Sequence, residues 1–291
     1  MSVNLVKPEF SIITPVFNRA GKVIESVKSS LRFLEESGKP GEVIVVDDAS
    51  TDGSFETVSA VFEEQIGNQL VRVIRLPVNR GPTGAKQVGA EHAAGEWLIF
   101  MDSDDAFVAG ASYAACAALA SIPRQCPVVF FRCVSKADGT LIGPAQEAPV
   151  WLDLQTYLLH GTPGECLPVV RRDCLLVVPY AEDLRGFEGL TFASLIQRFG
   201  PACVFPIILR SYCTEESGDR LSTRRAIRQR GCLIAKGYFR MVFHFGFALR
   251  GRLLPSVMRF FYHGFNCLIY SAPRRLTSLL SKTAKAWWTA P

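Results

Sequence analysis

Several absences narrow the possibilities for this 291-residue chain before any motif is read. No two of its nine cysteines are spaced CxxC and the count is odd, so neither a zinc site nor a disulfide framework is expected, and reduced thiols are. Gly81 and Gly84 complete neither GxGxxG nor GxxxxGK[ST], which argues against dinucleotide and P-loop binding. No apolar run reaches the roughly 18–20 residues of a spanning helix. The start, MSVNLVKPEF, lacks a basic segment followed by an apolar one, so no signal peptide is expected and a cytoplasmic placement is. Acids are almost missing from the end: residues 219–291 hold 14 Lys and Arg against the single acid Asp219, whereas residues 1–218 hold 18 basic and 26 acidic residues. No recognition motif accompanies that basic charge, so no nucleic acid partner is expected.

What is present is a globular composition, 48% hydrophobic and 20% charged, enough for a sizeable core. Short β-branched runs at 10–16, 42–48, 70–76 and 96–102 read as strands. Between them, apolar residues recur at helical spacing in 22–36, around Phe55–Phe62 and in AKQVGAEHAA. Further on, 109–122 reads as a helix, 127–135 as a strand, 191–200 as a helix and 202–212 as a late strand. The β-α-β-α-β-α-β order predicts an α/β fold with a doubly wound, mostly parallel sheet.

In such sheets ligands bind beyond the carboxyl ends of the strands. Asp47 and Asp48 end one strand; Asp102, Asp104 and Asp105, in FMDSDD, end another. Such a cluster of like charges calls for a cation. Two bland readings stand beside this one: a solvated turn for FMDSDD, and helix capping for Asp47 and Asp48.

The stretches SIITPVFNR, VIVVDDASTDGS and NRGPTGAKQVGAEHAAGEWLIFMDSDD resemble, in order and spacing, an inverting glycosyltransferase of family 2 with the GT-A fold. DLRGFEGLTFASLIQRFG is a looser match. The resemblance implies transfer of a sugar from a nucleotide diphosphate sugar, a UDP-sugar by family habit, with Mg²⁺ or Mn²⁺ as cofactor. It implies Asp104 as direct metal ligand, with Asp102 and Asp105 beside it, Asp102 acting through water or on the ribose. Pro15 and Phe17 would flank the base, Phe standing where the family usually has Tyr. Asp48 would accept from the base, with Asp47 near the ribose. Lys86 stands where the family often has Arg and would pair with the diphosphate; a solvated helix face is its alternative. The acidic pair that supplies the general base is represented by Glu188 followed by Gly189, so Glu188 is the expected base and Glu182 and Asp183 are substitutes. Arg220 is a candidate for neutralising charge near the donor.

The expected organisation is a nucleotide-sugar half at 1–106, an acceptor half at 107–218 and a basic, aromatic, helical extension at 219–291. Residues 236–291 suit an anionic membrane surface, or else pack on the core. The acceptor would be a saccharide or lipid-linked saccharide in envelope or exopolysaccharide synthesis, and the protein peripheral at the inner face of the plasma membrane. A non-catalytic nucleotide-sugar-binding module and a nucleotidyltransferase are the alternatives.

Overall fold

The computed structural model describes residues 7–214 and 230–246, and the chain divides into two compact units, Met1–Thr214 and Glu215–Pro291. In the first unit β1 (Phe10–Val16), α1 (Val23–Ser37), β2 (Gly41–Asp47), α2 (Ser54–Val61), a short α3 (Glu63–Gly67), β3 (Val71–Arg75), α4 (Gly81–His92) and β4 (Trp97–Phe100) follow one another. β1 pairs in parallel with β2 and β4, and β2 with β3. Alternation decides the layers. Ile12, Val43 and Val45 point into a cluster with Val23, Val27 and Phe33 of α1. Ile13, Ile44 and Val46 point into a second cluster with Ala85 and Val88 of α4.

α4 starts at Gly81, four residues ahead of the AKQ at which the spacing predicts it. Gly81 has φ +77°, Pro82 sits in the first turn, and the backbone N–H groups of Arg80 and Gly81 donate to Asp48. Further along, a Cβ at Gly89 would meet Ile13 Cγ2 at 2.4 Å. This close approach turns the face that carries Lys86, three residues earlier, onto the sheet.

The second half holds the four expected elements and adds short ones that were not expected. After β5 (Ala106–Phe107), α5 (Ser112–Ser121) and β6 (Val128–Ser135) come β7 (Val150–Leu152), α6 (Leu154–His160), β8 (Cys166–Arg171) and α7 (Arg172–Val177). A 3₁₀ turn (Glu182–Leu184), α8 (Gly189–Phe199) and β9 (Ala202–Tyr212) complete the unit. The sheet runs β3-β2-β1-β4-β8-β6-β9-β5, with β7 also on β9. β8 is antiparallel to both β4 and β6, whereas β6 and β9 are parallel. Elements of three to seven residues such as β7, α6 and α7 carry too little periodicity to be read from the chain alone.

In the second unit α9 (Gly231–Phe245) is described, with Phe239 and Phe243 exposed and their rings stacked 6.3 Å apart. Among the described residues no helix is long and apolar enough to cross a membrane. Seven cysteines of the first unit are free thiols.

Candidate active site

The carboxyl ends of β1, β2 and β4 lie on one edge of the sheet. Val16 pairs with Asp47, and Ile13, two residues before Pro15, pairs with Phe100, two residues before Asp102. Pro15 is therefore level with the acidic motif, and Phe17 beyond it is 46% exposed. The loop carrying Phe17 is stapled to the loop after β2. Asn18, Arg19 and Ala20 donate their backbone N–H groups to Ser50 Oγ, Ser54 Oγ and Asp52 Oδ2, each at 3.0 Å, while Thr51 N–H donates to Asn18 Oδ1 at 2.9 Å. The turn residues of DASTDGS thus hold two site loops together as well as starting α2. Nearby, Ala49, Ser50, Arg75, Leu76 and Pro77 line an open cavity of about 330 Å³.

Asp48 is buried, and its two oxygens accept from Arg80 N–H at 2.6 Å and Gly81 N–H at 2.8 Å. The capping reading of Asp48 is therefore met, on α4 rather than α2. Burial raises its pKa, against the two backbone N–H groups that lower it. Asp47 accepts from Ser50 N–H at 3.2 Å and faces Arg75 Nε at 3.8 Å, while its Oδ1 is buried without a hydrogen bond.

At the end of β4, Asp102 and Asp104 are half-buried and Asp105 is fully buried. Asp105 Oδ1 accepts from Cys213 N–H at 2.8 Å, tying the acidic loop to the end of β9. That bond engages one oxygen; Asp105 Oδ2 is buried without a hydrogen bond, 3.4 Å from Arg210 Nη1. Burial pushes its carboxyl up to about 7, against the pull of Arg210. Asp104 enters no hydrogen bond or ion pair among the described residues. Nor do any three His, Cys, Asp or Glu side chains among them gather into a preformed cation cage. One accessible carboxylate beside a second is what an oxygen-preferring Mg²⁺ or Mn²⁺ uses when phosphate and water complete its shell, so the residues fit that class of ion.

Lys86 is buried, which corrects the solvated-face alternative. Its Nζ stands 2.7 Å from Glu188 Oε1 and 3.2 Å from Asp102 Oδ1. Burial works against the ammonium, and Asp102 and Glu188 outweigh it, so its pKa is raised. Glu188 occupies the N-cap position of α8, its side chain 23% exposed. Glu182, offered as a substitute base, is held by Arg80 Nε at 3.0 Å. Asp183 lies in the same 3₁₀ turn. Arg220 lies outside the described residues.

Arg210 of β9 was not among the expected site residues. Its guanidinium is buried, 3.7 Å from Asp102 Oδ2 and 3.4 Å from Asp105 Oδ2. An arginine inside a strand pattern gives no sign of which face it takes, and the pairing of β9 supplies that.

The family model described as "Glycosyl transferase family 2" matches residues 11–159. The chain is 25% identical over 196 residues to the GalNAc(5)-diNAcBac-PP-undecaprenol beta-1,3-glucosyltransferase of Campylobacter jejuni, covering 65% of this chain and 60% of that protein. Among solved structures, S. aureus TarS 1–349 in complex with UDP-GlcNAc superposes with a TM-score of 0.62 at 16% identity, over 92% of this chain and 77% of that one. The mannosyltransferase PcManGT from Pyrobaculum calidifontis, in complex with GDP-Man and Mn²⁺, gives 0.59 at 17% identity, over 99% and 82%. At these identities the likeness shows the fold, which is GT-A as expected. The alignments to the first curated relatives span between 26% and 60% of those proteins' own length.

Proposed function

The chain belongs to glycosyl transferase family 2, and from that premise we propose that it moves a sugar from a UDP-sugar to a hydroxyl of a saccharide or lipid-linked saccharide, in envelope or exopolysaccharide synthesis. One observation carries the reading: Lys86 joins Asp102 of the acidic motif to Glu188, so the donor end and the expected base face one crevice.

The nucleoside would lie against Phe17 and Pro15 at the carboxyl edge of β1, over the cavity between β2 and β3. Aromatic stacking needs no phenol oxygen, so Phe serves in place of Tyr. Asp48, through the backbone it holds, keeps the start of α4 at the rim of this pocket, and Asp47 stands beneath the ribose. Asp104 and Asp102 would hold a divalent cation, which when bound neutralises the charge developing on the departing nucleotide diphosphate. Lys86 adds a fixed ammonium on the same side. Glu188 would take the proton of the acceptor hydroxyl as its oxygen bonds to the anomeric carbon. The bond to the diphosphate breaks on the opposite face, and the nucleotide diphosphate leaves with the electron pair, with inversion at that carbon. The undecaprenol-linked substrate named for the Campylobacter relative supports a lipid-linked acceptor.

The decisive assay incubates the protein with a panel of UDP-sugars and Mn²⁺ and measures released UDP. Metal-dependent release that chelation abolishes bears out the proposal. Tight UDP binding without release, under any acceptor supplied, favours a non-catalytic module instead, a reading that Gly189 motivates because it stands where a second acid is expected. For the tail, Lys236, Arg240 and the exposed Phe239 and Phe243 of α9 support a peripheral position on an anionic membrane. Flotation with phosphatidylglycerol vesicles but not with phosphatidylcholine vesicles is the expected result.

A further inference from the structure

We infer that Arg210 is a positioning residue for the acidic motif, holding Asp102 in place from behind so that Asp104 is left as the carboxylate open to a cation. The inference rests on the metal-dependent reading above and adds to it a residue from the far side of the fold.

The first observation is how Arg210 comes to be there. β6 and β9 pair with Val129 opposite Cys203 and Phe131 opposite Phe205, but Arg132 is opposite Ile208 and Cys133 opposite Arg210. β9 thus takes up extra residues twice within five positions, beside Pro206. Bulges re-aim side chains, and here the outcome is that Arg210 is buried while Ile208 is exposed.

The second is what the guanidinium is fastened to. Nη2 donates to Glu165 Oε1 at 2.7 Å and to the carbonyl of Cys166 at 3.2 Å, and Nε donates to Cys133 Sγ at 3.2 Å. The plane lies 4.9 Å from the centre of the Tyr212 ring. With three anchors on β6, β8 and the loop before β8, the group is fixed before any ligand arrives. Nη1 is the part aimed at the motif, 3.7 Å from Asp102 Oδ2 and 3.4 Å from Asp105 Oδ2.

The third is the other side of Asp102. Lys86 reaches Oδ1 and Arg210 reaches Oδ2, so each oxygen faces one buried cation, one from α4 and one from β9. Without Arg210, Asp102 would be free to swing toward Lys86, and the buried Asp105 would lose its counter-charge.

The test compares wild type, Arg210→Met, Arg210→Lys and Glu165→Gln, each checked for folding by thermal unfolding. UDP affinity is measured by calorimetry with and without Mn²⁺, and the readout is the ratio of the two, which a purely structural role would leave unchanged. Arg210→Met is expected to bind UDP alone as wild type does and to lose about tenfold of the Mn²⁺-dependent gain, with Arg210→Lys in between. An unchanged gain in a folded Arg210→Met overturns the inference. Should that variant not fold, Glu165→Gln decides: it frees the outer anchor of the guanidinium at a half-exposed position. A gain reduced about threefold supports the inference and an unchanged gain overturns it. Absence of any Mn²⁺ gain in wild type is a different result, because it removes the metal reading itself.

Discussion

Lys86 Nζ lies 2.7 Å from Glu188 Oε1, across 102 positions of sequence, and 3.2 Å from Asp102 Oδ1. That ammonium, 6% exposed, therefore pairs with two carboxylates that are 23% and 39% exposed, and Asp102 also faces Arg210. Breaking a fully buried pair costs about 3–5 kcal/mol, and solvent reaching both partners lowers that figure. Lys86→Met is expected to destabilise the protein by about 2 kcal/mol in urea unfolding, and Lys86→Arg by less. In a double-mutant cycle with Glu188→Gln, additivity would show that the pair contributes nothing.

Asp104→Ala should leave thermal stability unchanged, since the carboxylate has no partner among the described residues. Calorimetry should show the Mn²⁺-dependent part of UDP binding lost. Retention of that part would remove Asp104 from the site.

Glu188→Gln should lower sugar transfer by about 10²–10⁴-fold, the usual contribution of a positioned base. UDP affinity should stay within a factor of two or so of wild type, because the amide keeps the contact to Lys86 as an acceptor. If transfer is untouched, the base is elsewhere.

Phe17→Ala removes an exposed ring that packs into no core cluster. It should weaken UDP binding by about 1 kcal/mol, the scale of one aromatic stacking contact, at constant melting temperature. An unaltered affinity would place the nucleoside away from this ring.

Asp105 makes a pH prediction. Its carboxyl is pushed by burial from 3.8 to about 7 in the folded protein. The folded chain therefore holds that proton where the unfolded chain has released it. The stability Asp105 contributes is complete below about pH 4 and is lost as pH rises through about 7. Asp105→Asn mimics the protonated form and keeps an acceptor for Cys213 N–H. In chelated buffer, its stability relative to wild type should rise between pH 5 and pH 8. A constant difference would mean that Arg210 keeps Asp105 ionised throughout.

The amino acid order alone was enough for the parallel half and its acidic ends. β1, β2 and β4 are runs of largely β-branched and aromatic residues buried on both faces, β3 is a half-buried edge strand, and the helices between them have apolar residues at helical spacing. Both signals are local, so the fold class, and the gathering of Asp47, Asp48 and Asp102 at one edge, could be derived without coordinates. The family motifs lie in this half for the same reason: each is a strand end and the loop after it.

Packing at a distance decided the rest. β8 slots antiparallel between β4 and β6 because Leu98, Val170 and Val128 share one buried face, which six residues of CLPVVR do not announce. Lys86 is buried only because Gly89 lets α4 settle on Ile13, and Arg210 reaches Asp102 only because β9 bulges against β6. Asp105 could be recognised as acidic from FMDSDD, but its bond to Cys213 N–H depends on where β9 ends. Hydrophobic period and turn chemistry act within a few residues. The charge that each site carboxylate finally faces is set by side chains brought from up to about a hundred positions away.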